Sequence, residues 1–239
     1  MLLLKDSLTN NQIYLFFMLP ISACIFDLDG VIVDTAGYHY KAWRQLAKQW
    51  SIDLTVEENE KLKGVSRVES LKHILALGDI NLSEDKINHF CTIKNDHYLT
   101  LIANMDESEL LPGVKELLKE LSKNGIQIGL GSASKNAPLI IMKAGIEHYF
   151  ESVVSGNDVV NGKPHPETFL KGAKELTVEP KSTIVFEDSQ KGITAAKNGG
   201  FIAVGIGSPV DLAEADIVIP GFEHHNFETI VNKLKSTLS

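Results

Sequence analysis

The run Ile21-Ser22-Ala23-Cys24-Ile25-Phe26-Asp27-Leu28-Asp29-Gly30 decides how this chain is read. Its apolar part is too short for a typical helix and ends abruptly on Asp-x-Asp-Gly. A brief unbroken apolar run bounded by turn residues is the pattern of a strand buried on both faces. In extended backbone residues two apart point the same way, so Asp27 and Asp29 converge at the strand end, where Gly30 lets the chain turn sharply.

Similar runs recur downstream at residues 126–130, 152–154, 183–186, 201–206 and 217–219, alternating with amphipathic stretches. Buried strands separated by helices imply a parallel sheet, and the fold class is α/β with a Rossmann-like doubly wound core. Pro112 opens a helix carrying Val114, Leu117, Leu118 and Leu121, which Gly125 closes. Ile230, Val231, Leu234 and Leu238 mark another helix at the C-terminus.

Between the first two strands lie almost a hundred residues without a strand signal, far beyond an ordinary connection. They are expected to form an inserted α-helical cap domain over residues 34–107, leaving residues 18–33 and 108–239 as the core. Ala36, Tyr40, Trp43, Ala47 and Trp50 share one helical face, and a following helix ends at Gly64. Ser66-Arg67-Val68-Glu69 has the spacing of a capping box, placing Arg67 at a helix N-terminus. The last insertion helix aligns Ile87, Cys91, Lys94, Tyr98, Leu101 and Met105, so Lys94 stands where the periodicity calls for an apolar residue.

The 239 residues are 44% hydrophobic and carry 31 acidic against 23 basic side chains, a net charge of −8. No basic tract of the kind that binds nucleic acid is present. Cys24 and Cys91 fit neither a disulfide framework nor a zinc site, which points to a cytoplasmic protein. The apolar run at residues 13–26 is too short to span a bilayer, so no membrane partner is expected. Secretory cleavage near Cys24 would remove most of the first strand. Residues 1–17 are therefore expected to be an N-terminal extension outside the fold, with Met18 an alternative start.

A second acidic pair ends the 183–186 strand, at Glu187-Asp188-Ser189. Two carboxylate pairs brought opposite each other require a shared proton or a hard cation, and three or four oxygen donors favour Mg²⁺. Two further segments supply complementary groups: Gly131-Ser132-Ala133-Ser134-Lys135-Asn136 after the second strand, and Gly162-Lys163-Pro164-His165-Pro166. Hydroxyls and amides at a helix start accept phosphate oxygens, while lysine adds a point charge.

In these four segments the chain resembles the haloacid dehalogenase superfamily of aspartyl-phosphate phosphotransferases, from about Met18 to the end. The resemblance implies that Asp27 is the nucleophile, Asp29 the general acid/base, and Lys163 the cation that neutralises Asp27 and the transferring phosphate. It implies a metal site of Asp27, the Asp29 carbonyl, Glu187 and Asp188. Lys63-Gly64-Val65-Ser66-Arg67, Ser70, Lys94-Asn95-Asp96 and the Ser132 to Asn136 segment are more similar to the superfamily's mutases of β-glucose 1-phosphate. That likeness assigns Lys63, Arg67, Ser70, Lys94, Ser132, Ala133, Ser134, Lys135 and Asn136 to the sugar phosphate. It gives Thr35 and His39, one helical turn apart, the task of aligning Asp29. The implied reaction passes through phospho-Asp27 and a 1,6-bisphosphate, with glucose 1,6-bisphosphate as priming phosphoryl donor, in a monomeric enzyme. Gly131 and the Lys163-Pro164-His165-Pro166-Glu167 segment depart from the superfamily's usual residues, without touching a proposed catalytic role.

Other readings remain open at this level. A sugar-phosphate phosphatase would use the same core with water as acceptor, and a non-catalytic phospho-acceptor module would keep a strand-end aspartate. Lys94 alone would read as a snorkelling lysine, and Ser189 and Asn136 as helix caps. His165 and the His224-His225 pair read as solvated loop residues.

Overall fold

The computed structural model describes residues 20–238; the expected extension over residues 1–17 and the alternative start at Met18 lie outside them. Six strands form one parallel sheet: β1 (Ala23–Phe26), β2 (Gln127–Gly131), β3 (Ser152–Val154), β4 (Thr183–Glu187), β5 (Ile202–Ile206) and β6 (Ile217–Ile219). Their order is β3-β2-β1-β4-β5-β6. The chain winds outward from β1 through β3, then returns to β1's other side with β4. This creates a topological switch point between β1 and β4, where α/β sheets place their ligands. The expected doubly wound sheet is therefore observed, with strand limits differing by a residue or two because pairing partners define the ends.

Register carries the consequence. Phe26 pairs with Phe186, and the Asp27 amide donates to the Phe186 carbonyl at 2.9 Å, so Asp27 emerges beside Glu187. Alternate residues of β1 face opposite layers: Cys24 and Phe26 join one apolar cluster, Ala23 and Ile25 the other. On the first face lie α5 (Val114–Lys123), α6 (Ala137–Lys143) and α9 (Phe227–Leu238). On the second lie α7 (Glu167–Leu176) and α8 (Gln190–Asn198). Helix α5 starts at Val114, after Pro112, because Gly113 takes left-handed backbone (φ +84°).

The insertion between β1 and β2 contains α1 (Ala36–Ala47), α2 (Val56–Glu60), α3 (Arg67–Ala76) and α4 (Glu84–Leu101). They bury a cluster of their own, with Trp43, Leu46, Leu54, Leu71, Ile74 and Ile87. Helix α2 is short and gives way to a turn before Gly64. Ser66 Oγ accepts from the Glu69 amide at 3.3 Å, which forms half of the expected box; the Glu69 carboxylate instead takes Lys72 at 3.0 Å. Helix α4 buries Ile87, Cys91, Lys94 and Tyr98 as the stripe requires, but it stops at Leu101, and Ile102 replaces Leu101 on the buried side. The two chain segments leaving and re-entering the sheet run side by side, bridged at Val33 and Leu110, with Leu111 donating to Ile32 at 3.0 Å.

The strands bearing the acidic pairs are clamped by three rings. Phe26 stacks on Phe186 with centroids 4.7 Å apart, and the Phe222 ring meets Phe186 edge-on at 5.3 Å. Phe186 is fully buried, so Phe186→Ala loses both transfer and cavity contributions. It should cost about 3–5 kcal/mol in urea denaturation. A loss below about 1 kcal/mol would show that the ring cluster does not hold β1 against β4.

Candidate active site

The strand ends assemble a compact charged centre. Lys163, from the loop before α7, is fully buried and donates to Asp27 Oδ1 at 2.6 Å and Glu187 Oε2 at 2.7 Å. Its ammonium also lies over the Phe169 ring at 4.7 Å. The other Glu187 oxygen accepts from the Ser189 amide at 3.0 Å and hydroxyl at 2.6 Å. Ser189 Oγ in turn caps α8 through the Gly192 amide, so this residue serves both as cap and as brace. Gly30 brings the Asp27-to-Gly30 turn so near Asp188 that a Cβ there would sit 2.1 Å from Asp188 Oδ2.

Oxygens of Asp27, Glu187 and Asp188 lie within 4.8 Å of one another. Burial opposes the charge of Lys163, but Asp27 and Glu187 outweigh it and keep the amine protonated. Asp27 is pushed upward by burial and by neighbouring carboxylates, against the pull of Lys163. Asp188 is raised to about 7 by burial and by Glu187. Asp27 and Glu187 share the buried Lys163, and Asp188 shares Lys63 with Glu60, which leaves an excess of negative charge; an all-oxygen donor set of this kind fits a hard dication. The Asp29 side chain is outside that cluster.

Asp29 instead accepts a hydrogen bond at Oδ1 from the Thr35 hydroxyl, and His39 Nε2 stands 3.9 Å from the same oxygen. Burial raises the Asp29 carboxyl, with the Thr35 bond acting against it. His39 Nδ1 faces Lys94 Nζ at 2.8 Å, and burial together with Lys94 and Arg67 holds the imidazole well below its ordinary range. Lys94 is 2% exposed, with its ammonium over the rings of Trp43 at 4.7 Å and Tyr98 at 4.8 Å. Burial lowers its amine to about 7, helped by Arg67. With Lys94 charged, Nδ1 of neutral His39 accepts, which leaves the ring proton on Nε2 toward Asp29.

One cavity of about 1090 Å³ unites these groups with the insertion, lined by Asp27, Asp29, His39, Lys63, Arg67, Ser70, Lys94, Ser132, Ala133, Ser134, Lys135 and Asp188 among others. The polar groups are not all free to meet a ligand. Ser70 Oγ donates to the Ser66 carbonyl at 3.0 Å, and Ser132 Oγ accepts from the Ser134 amide at 3.1 Å. Asn136 Nδ2 is bonded to Asn95 Oδ1 on α4 at 2.9 Å, tying core to insertion. Lys63 pairs with Glu60 at 2.7 Å and reaches Asp188 at 3.7 Å. Sequence periodicity gave no sign of Asn95 or of the Tyr98 hydroxyl as site features, since both lie on a helix whose spacing reports only burial. His165, by contrast, is exposed, as expected of a loop residue.

A family model described as haloacid dehalogenase-like hydrolase matches residues 21–200. The β-phosphoglucomutase of Bacillus subtilis is 41% identical over 202 residues, 82% of this chain and 88% of that protein. The fructose-1-phosphate phosphatase YqaB of Escherichia coli is 31% identical, over 76% of this chain and 94% of its own. The crystal structure of β-phosphoglucomutase from Clostridium difficile superimposes with a TM-score of 0.88 at 41% identity, covering 91% of this chain and 99% of that one.

The buried amine of Lys94 has a signature in stability. Below about 7 both states carry its charge and folding bears the full cost of burying it; from there to 10.5 the unfolded chain holds a proton the folded chain has released. Stability from this group therefore rises with pH across that window. Lys94→Met, compared with the wild type by urea denaturation, should stand highest relative to it at the acid end and lose that advantage toward the alkaline end. A difference independent of pH would remove the buried charge from Lys94.

Proposed function

The chain belongs to the haloacid dehalogenase-like hydrolase family, and from that membership we propose that it is a phosphotransferase interconverting β-D-glucose 1-phosphate and glucose 6-phosphate, a β-phosphoglucomutase. One observation carries the reading. The cavity over the Asp27-Lys163-Asp188 centre is lined as well by Arg67 and Lys94 of the helical insertion, whose Lys63 reaches Asp188 at 3.7 Å. A water acceptor needs no such lining, whereas a second phosphate carried on a sugar does.

Asp27 Oδ is the nucleophile: it attacks phosphorus of the bisphosphate primer, and the phosphoryl–oxygen bond to the departing sugar hydroxyl breaks. Lys163 neutralises both the carboxylate and the arriving phosphoryl oxygens. Mg²⁺, held by Asp27, Glu187, Asp188 and the Asp29 carbonyl, would supply the remaining positive charge at the transferring group. Asp29, with its carboxyl raised by burial, takes the proton of the C6 hydroxyl as that oxygen attacks phospho-Asp27. The resulting 1,6-bisphosphate turns around; its C1 phosphoryl returns to Asp27 as the phosphorus–oxygen bond to C1 breaks, and Asp29 gives its proton to the departing C1 oxygen to release glucose 6-phosphate. Arg67 at the N-terminus of α3, Ser134 and Lys135 grip the phosphate that is not reacting, while the Asn136 amide is engaged with Asn95. Residues 34–107 act as a cap whose closure excludes water and brings Asp29 to bear through Thr35 and His39. The two free cysteines, Cys24 and Cys91, are buried thiols that suit a reducing cytoplasm. Among the described residues no helix is long and apolar enough to cross a membrane.

A sugar-phosphate phosphatase is the second reading, favoured by the fructose-1-phosphate phosphatase relative. Incubation with Mg²⁺, β-glucose 1-phosphate and a trace of glucose 1,6-bisphosphate separates the two when glucose 6-phosphate and free phosphate are followed together. Glucose 6-phosphate in large excess is expected, with no comparable turnover of the α anomer; free phosphate as the main product would make the chain a phosphatase. Asp27→Asn should abolish turnover while the protein stays folded, and Asp29→Ala should slow transfer by about 10²–10⁴-fold. Full activity in Asp27→Asn would refute the aspartyl-phosphate route.

A further inference from the structure

Tyr98 is one of the largest fully buried side chains in the molecule, on α4 one turn after Lys94, with its ring 4.2 Å from that of His39. Packing alone would be served by phenylalanine. Yet the hydroxyl is present and sealed from solvent; no group among the described residues completes a hydrogen bond with it, although the Thr35 hydroxyl stands near enough to act on it as a hydrogen-bonding group and Asp29 near enough to act on it by charge. A buried hydroxyl without a partner is costly, and retention of one beside the general acid/base requires a reason.

The reason lies with Thr35. Its side chain is fully buried, and it has one hydroxyl proton, which here goes to Asp29 Oδ1. If Asp29 turns from Thr35 to a substrate hydroxyl, that proton loses its acceptor in a place water does not reach. We propose that Tyr98 is a positioning residue for Asp29, its hydroxyl serving as the alternate partner of Thr35 when Asp29 swings to the substrate. In the resting arrangement one buried hydroxyl is unpaired and Thr35 is bonded to Asp29; in the reacting arrangement Thr35 and Tyr98 bond to each other and Asp29 to the substrate. The exchange lowers the cost of releasing Asp29 without holding it in the released position. The proposal rests on Asp29 as the acid/base, which the mutase and phosphatase readings share.

Phenylalanine at this position relieves the resting state and strands Thr35 in the reacting one. Tyr98→Phe should therefore lower kcat about tenfold with KM unchanged, the factor expected for one lost hydrogen bond at a buried site. Its thermal unfolding midpoint should equal or exceed that of the wild type, which separates the effect from a packing defect. In a Thr35→Val background the same change should have no further effect on kcat, because the two hydroxyls act as one pair. An unchanged kcat would mean that Asp29 reacts while still bonded to Thr35, and would overturn the proposal. So would a loss confined to KM, losses that multiply with Thr35→Val, or a lowered midpoint, which would reveal a partner already present in the resting protein. If the wild type releases free phosphate in place of glucose 6-phosphate, the mutase reading fails, and the same four comparisons are made on phosphate release.

Discussion

The ammonium of Lys163, held at 2.6 Å from Asp27 and 2.7 Å from Glu187 with no exposure to solvent, is the interaction on which the rest of this structure depends. Taking these charges out of water is expensive, and removal of either sign leaves the other uncompensated. The arrangement persists because three separate parts of the chain place it: β1 delivers Asp27, β4 delivers Glu187, and the loop ahead of α7 delivers the lysine. Ser189 and the Gly192 amide complete it by fixing the far side of Glu187. With Asp188 adjoining, the centre remains short of positive charge. That deficit suits the centre to a hard dication and to the phosphoryl transfer proposed for it.

A second polar cluster lies where the insertion meets the sheet. Thr35, Asp29, His39, Lys94 and Tyr98 come together between the apolar cluster of the insertion and that of the sheet's first face. Helix α4 links the two, for its Ile87 and Cys91 pack with the insertion and its Tyr98 with the sheet. Buried polar groups in such a seam are only partly satisfied: among the described residues His39 Nε2 and the Tyr98 hydroxyl have no hydrogen-bond partner. A fully apolar seam would be more cohesive and would fix one arrangement. Incomplete pairing lowers the difference between alternative hydrogen-bond patterns, which is the property that the proposed repositioning of Asp29 requires.

Much of this was readable from residue order. The apolar run ending in Asp27-Leu28-Asp29-Gly30, and its counterpart ending in Glu187-Asp188, identified the two strands and their chemistry because extended backbone alternates its side chains regularly. Ser66 was legible as a cap because its partner is three residues away. Lys94 was legible as an anomaly, since an ammonium interrupts an apolar stripe, but its partner His39 is 55 residues distant and invisible to any local pattern. Tyr98 passed for ordinary core because periodicity registers burial and is blind to whether a hydroxyl is satisfied. Asn136 had the chemistry of a phosphate donor or a helix cap; its bond to Asn95 across 41 residues belongs to neither reading.

The sequence by itself thus determined the parallel α/β class, the helical insertion, and the residues proposed to carry phosphoryl transfer, because each of these is encoded by spacing within a few residues of the chain. Tertiary structure alone decided which of those groups meet. The strand order puts Asp27 beside Glu187 rather than beside the end of β5, and the return of α4 to the sheet sets Lys94 against His39 and the Tyr98 ring against His39 as well. Such meetings depend on loop closure and on packing between elements far apart in the chain, and no local propensity reports them.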